Sequence, residues 1–308
     1  MPIGSLRLRN EWLAIISLAV VTIGIWCRVL STEQPTFRAV FLDVGQGDCA
    51  YLRSPSGRVV LIDGGGTPGE SPDDMVGLRV VAPFLRREAV NRIDVMVLTH
   101  PHDDHVEGLI PVLRDFRVGM VLDSANPDGS ESYQRFRAMV RARGIPYRRA
   151  VRGQVVDFGD GVRARVLHPP SVRLAGTEDD VNDNSVVMRF TCGKYALLMT
   201  GDAGEDAESD ILGSGASVRS DVLKVAHHGS ESATSDDWLD SVQPRLAVIS
   251  VSKGNPFGHP SGPVLKRLSA RHVKIYRTDR NGAVALEIVP GQRGVHVSPA
   301  VRDASGVQ

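Results

Sequence analysis

The sequence predicts an α+β fold in which two β-sheets pack face to face with helices outside. Two observations carry that reading. Each half of the chain opens with short apolar strands and tight turns, then alternates strand with helix. Apolar residues make up 42% of 308 residues and aromatics only 5%, with 31 glycines. That profile suits many short strands and turns around a sizeable buried core. The 36 basic and 36 acidic residues cancel, so total charge demands neither a nucleic acid nor an anionic membrane as partner.

In the first half, "FRAVFLDV", "CAYLRS" and "RVVLID" read as strands, with "SPSG" turning between the last two. A Gly/Pro/acid loop at 64–74 leads to a helical stretch, "MVGLRVVAPFLRREAV", interrupted by Pro83. Strand "IDVMVLT", helix "VEGLIPVLRDF", strand "VGMVLD" and helix "ESYQRFRAMVRARG" follow. The second half repeats the order. "QVVDFG", "VRARVLHP", "SVVMRFTC" and "KYALLMTGD" are strands, and helix "AGEDAESDILG" comes next. Strand "DVLKVAHH", helix "TSDDWLDSV", strand "RLAVISV", helix "GPVLKRLSARH" and strand "VKIYRT" complete it. None of Cys27, Cys49 and Cys192 lies in a C-x-x-C pair, and Cys49 and Cys192 read as small buried apolar residues.

Residues 1–36 stand apart. Trp12 to Cys27 carries no charge, Arg7 and Arg9 precede it, and Val29 and Leu30 extend it past Arg28. Residues 12–30 are expected to enter the membrane as a signal anchor or a cleavable signal peptide. Basic residues before an apolar run keep the N-terminus cytoplasmic and send the rest outside. The expected location is therefore a single pass in the cytoplasmic membrane with the globular part outside, or secretion after cleavage. That part should cover 37–290, and the polar, Gly/Ser-containing 291–308 should be a loose tail.

"LTHPHDDHVEGL", Leu98 to Leu109, crowds His100, His102, Asp103, Asp104 and His105 at the end of an apolar strand. Imidazole and carboxylate are the common ligands of zinc and related ions. In an extended loop, His100 and His102 can face one metal while Asp104 and His105 face a second. Helix capping would account for Asp104 and His105 but not for His100 and His102. Three more strands end in ligand-type residues: "LIDGG" in Asp63, "LLMTGD" in Asp202, and "LKVAHHGS" in His227 and His228.

His100, His102, Asp104 and His105 form the H-x-H-x-D-H pattern, which resembles the signature of the metallo-β-lactamase fold. "FLDVGQGDCAYL", "LIDGG", "DNSVVMRF", "LLMTGD", "LKVAHHGS" and "NPFGHPS" are further similar to the branch containing the C-terminal domain of the DNA-uptake channel protein ComEC. The resemblance covers about residues 37–290. It implies a four-layer αββα sandwich with two divalent ions, Zn²⁺ or Mn²⁺, between the inner strand ends. His100 and His102 would hold the first ion. Asp104 and His105 would hold the second, with Asp202 bridging and His227 or His228 completing it. Asp104 and Asp202 are thereby the candidate catalytic carboxylates, and Asp63 would orient the histidine loop. The further histidine that many such hydrolases carry is missing from "EDDVNDNSVV". Asp183 or Asn184 is the nearest substitute, and an oxygen donor there favours harder ions such as Mn²⁺.

His259, in "FGHPS", is a candidate for approach to substrate or a surface-loop residue, and His168 and His272 read as structural or surface residues. Seven arginines between 135 and 152, Arg137 and Arg141 among them, either track a phosphate backbone or line a solvated helix face. Two ions about 3.5–4 Å apart suit hydrolysis, because they lower the pKa of a shared water and neutralise developing charge. The resemblance therefore implies a metal-dependent hydrolase outside the cytoplasmic membrane, with a phosphodiester such as DNA as substrate. The alternatives are another esterase or amide hydrolase of the same fold, or a non-catalytic DNA-binding or assembly module of DNA uptake. With no multi-helix channel of its own, the chain would act alone or with a separate membrane partner.

Overall fold

The computed structural model describes residues 4–31, 36–66, 76–127, 129–289 and 294–300. An N-terminal helix, α1 (Gly4–Ser31), precedes strands β1 (Phe37–Phe41), β2 (Ala50–Arg53) and β3 (Val59–Ile62). A turn of π-helix at Gly77–Val81 runs into α2 (Ala82–Arg87), which begins where Pro83 lacks an N–H. Strands β4 (Arg92–Ile93) and β5 (Val95–Leu98) lead to short helices α3 (Asp103–Val106) and α4 (Leu109–Asp115). Strands β6 (Arg117–Val118) and β7 (Val121–Asp123), helix α5 (Glu131–Ala142) and strand β8 (Tyr147–Arg149) complete the first half.

The second half opens with the meander β9 (Val155–Gly159), β10 (Val162–His168), β11 (Val187–Cys192) and β12 (Tyr195–Met199). Helix α6 (Glu205–Gly213), strand β13 (Val222–Lys224) and helix α7 (Asp236–Val242) follow. Next come β14 (Leu246–Ile249), α8 (Gly262–Ala270), β15 (Lys274–Arg277) and α9 (Thr278–Asn281). The chain then crosses back as β16 (Val284–Ile288) and β17 (His296–Pro299).

The strands form an eight-stranded sheet, β17-β16-β1-β2-β3-β5-β7-β8, and a seven-stranded sheet, β15-β14-β13-β12-β11-β10-β9, with β4 and β6 paired apart. In each large sheet the meander strands pair antiparallel and the βα strands parallel. Alternation along each strand divides the side chains between two faces. Ala39 and Phe41 of β1 meet Ala164, Val166, Phe190 and Leu197 between the sheets. Val40 and Leu42 face outward into a core with α2, α4 and α5, and Leu198, Leu223 and Ala247 face the layer of α6, α7 and α8. The architecture is the expected αββα sandwich.

One expectation changes. The stretch 291–308 is not wholly a tail, since β17 pairs antiparallel with β16 and extends the first sheet; residues 290–293 and 301–308 lie outside the described residues. Helix α1 presents exposed side chains from Trp12 to Gly24 and at Trp26, yet among the described residues no helix is long and apolar enough to cross a membrane. The side chains of residues 25 and 27–30 lie outside the described residues, as do residues 67–75 of the Gly/Pro/acid loop.

Candidate metal centre

The C-terminal ends of β3, β5, β12, β13 and β14 meet at one edge of the sandwich, and their loops are knitted together through backbone. Gly64 N–H donates to the His105 carbonyl at 2.8 Å, Gly108 N–H to Gly65 at 2.9 Å, and Gly65 N–H to Asp48 at 2.7 Å. The approach is close enough that only glycine fits. A Cβ on Gly64 would lie 2.4 Å from Leu109 N, and one on Gly47 would lie 2.2 Å from the Asp104 carbonyl oxygen. "LIDGG" and "VGQGD" therefore seat the helix that carries Asp104 and His105.

The outward nitrogen of three imidazoles is held by protein, and each Nε2 turns inward. His105 Nδ1–H donates to Asp63 Oδ2 at 3.0 Å. His100 Nδ1–H donates to Thr99 Oγ1 at 3.1 Å, and that hydroxyl donates to Asp63 Oδ2 at 2.8 Å. His228 Nδ1–H donates to the Ser250 carbonyl at 3.0 Å. Asp63 thus lies behind the histidine loop, hydrogen-bonded to His105 and, through Thr99, to His100.

Inside, Asp202 Oδ2 stands 3.2 Å from His105 Nε2, 3.3 Å from His228 Nε2 and 3.9 Å from His100 Nε2. Asp104 Oδ2 lies 3.4 Å from His228 Nε2 and 3.9 Å from His105 Nε2. Asp104, His105, Asp202 and His228 converge within 4.8 Å of one another. Beside them, His100 Nε2 and His102 Nδ1 are 3.1 Å apart.

The donor set fits divalent ions. His105 Nε2, His228 Nε2 and Asp202 Oδ1 are buried with no hydrogen-bond partner, which costs free energy unless something else engages them. Burial works against charging His228, yet Asp202 and Asp104 outweigh it and push its pKa up to about 10. His105 is raised well above its ordinary value against the same burial by Asp202, Asp104 and Asp63. Burial would raise the Asp202 carboxyl, but His228 and His105 hold it well below the usual range. His100 is the opposite case, driven well down by burial and by His105. An ion bound here would take the place of the imidazole protons that otherwise compensate the carboxylates.

Of the two histidines in "AHHGS", His228 is the one brought to the cluster. Both adopt left-handed backbone, with φ of 47° and 53°, a conformation that is costly for residues with a side chain. The reversal buries His228 and sends the His227 ring toward His259, 5.7 Å between centroids. His259 is half-buried beside His227; burial, then His227 and His228, lower its pKa to about 4.

Asp183 and Asn184 do not complete the first site. Asn184 Oδ1 accepts from Leu174 N–H at 3.1 Å, and its amide donates to the Leu174 and Asp180 carbonyls. Asp183 Oδ1 accepts from Gly204 N–H at 3.0 Å, ahead of α6. Both are consumed in tying down the loop before β11. The residue of that segment that meets the cluster is Ser185, whose Oγ accepts from Asp202 N–H at 3.3 Å.

The arginines are also redirected. Arg137 lies over the rings of Tyr133 and Tyr147 at 5.6 and 5.5 Å, and both phenols donate to buried Asp123. Arg137 thus packs on the rings of this buried cluster. Arg141 is exposed in the last turn of α5, about 15 Å along the axis from the helix end whose Ser130 donates to the Pro101 carbonyl.

Sequence reasoning missed Lys224. Its ammonium ion-pairs with Asp48, donates to the Gly201 carbonyl at 3.2 Å and stands 3.8 Å from Asp202 Oδ1. A lysine in an apolar strand was the available signal.

Residues 42–253 match the Metallo-beta-lactamase superfamily. ComE operon protein 3 of Bacillus subtilis is 29% identical over 287 residues, 87% of this chain and 36% of that protein. Competence protein ComA of Neisseria gonorrhoeae is 30% identical over 254 residues, 82% of this chain and 32% of that protein. The chain spans about one third of the length of these curated relatives. Among solved structures, CmlA, a diiron β-hydroxylase from Streptomyces venezuelae, aligns with a TM-score of 0.53 at 14% identity, over 83% of this chain and 55% of that one. That likeness speaks for the fold alone. With the four-layer sandwich and its His/Asp cluster, the match over more than two thirds of the sequence shows that this chain belongs to the metallo-beta-lactamase superfamily.

Proposed function

We propose that the chain is a metal-dependent hydrolase of phosphodiesters such as DNA, held at the cytoplasmic membrane by residues 12–30 with its globular part outside. The observation that carries the hydrolase reading is the convergence of Asp104, His105, Asp202 and His228 beside His100 and His102. Likeness to competence proteins supports DNA as substrate, and the uncharged run Trp12 to Cys27 supports the membrane location.

Asp104, His105 and His228 would hold one divalent ion, His100 and His102 the other, and Asp202 would lie between them. Bound there, such ions supply an acidified water and neutralise charge on substrate oxygens. The chain's own residues do the positioning. Asp63 and Thr99 fix the imidazoles of His105 and His100, and Ser250 fixes that of His228. With Asp183 and Asn184 engaged elsewhere, the first ion would have fewer ligands and should be held more loosely, whether it is Zn²⁺ or Mn²⁺.

The test uses the purified chain, stripped and reloaded with Zn²⁺ or Mn²⁺, on single- and double-stranded DNA, bis-p-nitrophenyl phosphate and a chromogenic cephalosporin. Phosphodiester cleavage that needs added metal and disappears in Asp202→Asn is expected. Turnover of the cephalosporin alone, or of nothing, would overturn the reading. Titration should resolve two metal affinities; two equal, tight sites would show that another ligand serves the first. A reporter fused after residue 300 should be active only in an extracytoplasmic format.

A further inference from the structure

A second concave feature lies at the other end of the seven-stranded sheet. The N-terminal ends of β12, β13 and β14 enclose a cleft of about 410 Å³ lined by Arg189, Lys194, Arg219 and Arg245, with Asp221 the one carboxylate among its described lining residues. The metal cluster sits beyond the opposite, C-terminal ends of these same strands, so the two features are separate.

The charge here is unbalanced in a chain whose total is zero. Asp221 Oδ2 already accepts from Ala196 N–H at 3.0 Å. Arg165 of β10 stands directly across from Arg189 of β11 in the antiparallel register. Val162, Ala164, Met188 and Phe190 fill the core between the sheets, so Arg165 and Arg189 share the outer face. Like charges directly opposite each other on one face of a sheet destabilise it. Among the described residues, Arg165, Lys194, Arg219 and Arg245 make no ion pair. Arg189 is half-buried and fixed, its Nε donating to the Arg219 carbonyl at 2.8 Å, and among the described residues its terminal nitrogens have no partner.

Paired guanidinium groups around a concave site, with no carboxylate to spare, match an oxyanion able to accept several N–H donors at once. We infer that this cleft binds a phosphoryl group, carried by a nucleic-acid strand or by a free phosphate compound. Arg189 is the fixed donor, and Arg219 and Arg245 close on the anion from the loops before β13 and β14. The strand as source rests on the phosphodiester reading above; the anion site itself does not.

Anisotropy of a labelled single-stranded oligonucleotide tests this, with the full chain kept in chelator so that no cleavage intervenes. Wild type should bind, and Arg219→Ser with Arg245→Ser should weaken binding at least about tenfold while reducing the salt slope by about two. Both side chains are exposed, so the thermal midpoint of the double variant should match wild type. Inorganic pyrophosphate, read by calorimetry, is the second arm. Binding of pyrophosphate without oligonucleotide, lost in the double variant, supports the anion site with a free phosphate as its ligand. Unchanged affinity of the folded double variant for both probes, or no binding of either by wild type, overturns the inference. Failure of the hydrolase reading looks different, as absent turnover in metal-loaded protein.

Discussion

Lys224 is 1% exposed, and an ammonium so placed needs compensation to remain charged. Burial opposes its charge, but Asp48 and Asp202 outweigh that and raise its pKa. Removing one partner of a buried pair leaves the other uncompensated, at a cost of about 3–5 kcal/mol. Lys224→Met should therefore destabilise the metal-free protein by about 3 kcal/mol, with divalent ions restoring part of it; urea melts with and without metal check this. His168 makes a second case. It is fully buried, its Nδ1–H donates to the Ser185 carbonyl at 3.2 Å, and burial lowers its pKa to about 4. A folded-state pKa below the ordinary 6.5 means that its neutral form is what folding favours. The contribution is complete above about pH 6.5 and is lost as pH falls toward 4, up to about 3 kcal/mol. His168→Gln should flatten stability against pH in that window. The ligand-type residues at 63, 100–105, 202 and 227–228 were legible because each follows an apolar strand. Lys224 was not, because its partner Asp48 lies in the loop between β1 and β2, remote in the chain, and no local pattern joins them.

Among the elements, the short helix α3 depends on glycines that hold no ligand. Gly64→Ala should place a Cβ 2.4 Å from Leu109 N, forcing the histidine loop outward. The expected result is a loss of about 1–3 kcal/mol in stability and a fall in bound metal measured by elemental analysis. Gly213→Ala in α6, where a Cβ meets nothing within 4 Å, is the neutral control. In the sequence these glycines read as turn formers; their close approach to α3 and α4 is a property of the assembled loops. Asn184 shows the converse. Its place in the segment that lacks the further histidine suggested a ligand, but its amide matches backbone groups at 174 and 180 that no sequence spacing reveals. Strands β8 and β16 also escaped notice, being short and paired with partners distant in the chain, β16 with β1.

The sandwich as a whole divides its candidate ligands between its halves. Asp104 and His105 follow β5 of the eight-stranded sheet, whereas Asp202 and His228 follow β12 and β13 of the seven-stranded one. Strand β16 ties the halves by returning to β1, and β17 covers its outer edge. Ending the chain at residue 290 should uncover β16 and lower the thermal midpoint relative to a chain ending at 300. Repeated strand–helix order made two facing sheets legible. The return of the C-terminal strands to the first sheet was not, since register between remote segments is set by packing.

Because ligands from opposite sheets face each other across one gap, an ion bound among them would act as a removable rivet. An ion that binds the folded halves and leaves the unfolded chain stabilises the fold by mass action, by about 2.7 kcal/mol at one hundred times its dissociation constant. A chain that has not yet met its ions would carry a weaker seam between its halves and should be cut faster by protease than the loaded form. Ion supply would then decide which copies persist as well as which copies react, and the proteolytic half-life in chelator against that in Mn²⁺ or Zn²⁺ measures it.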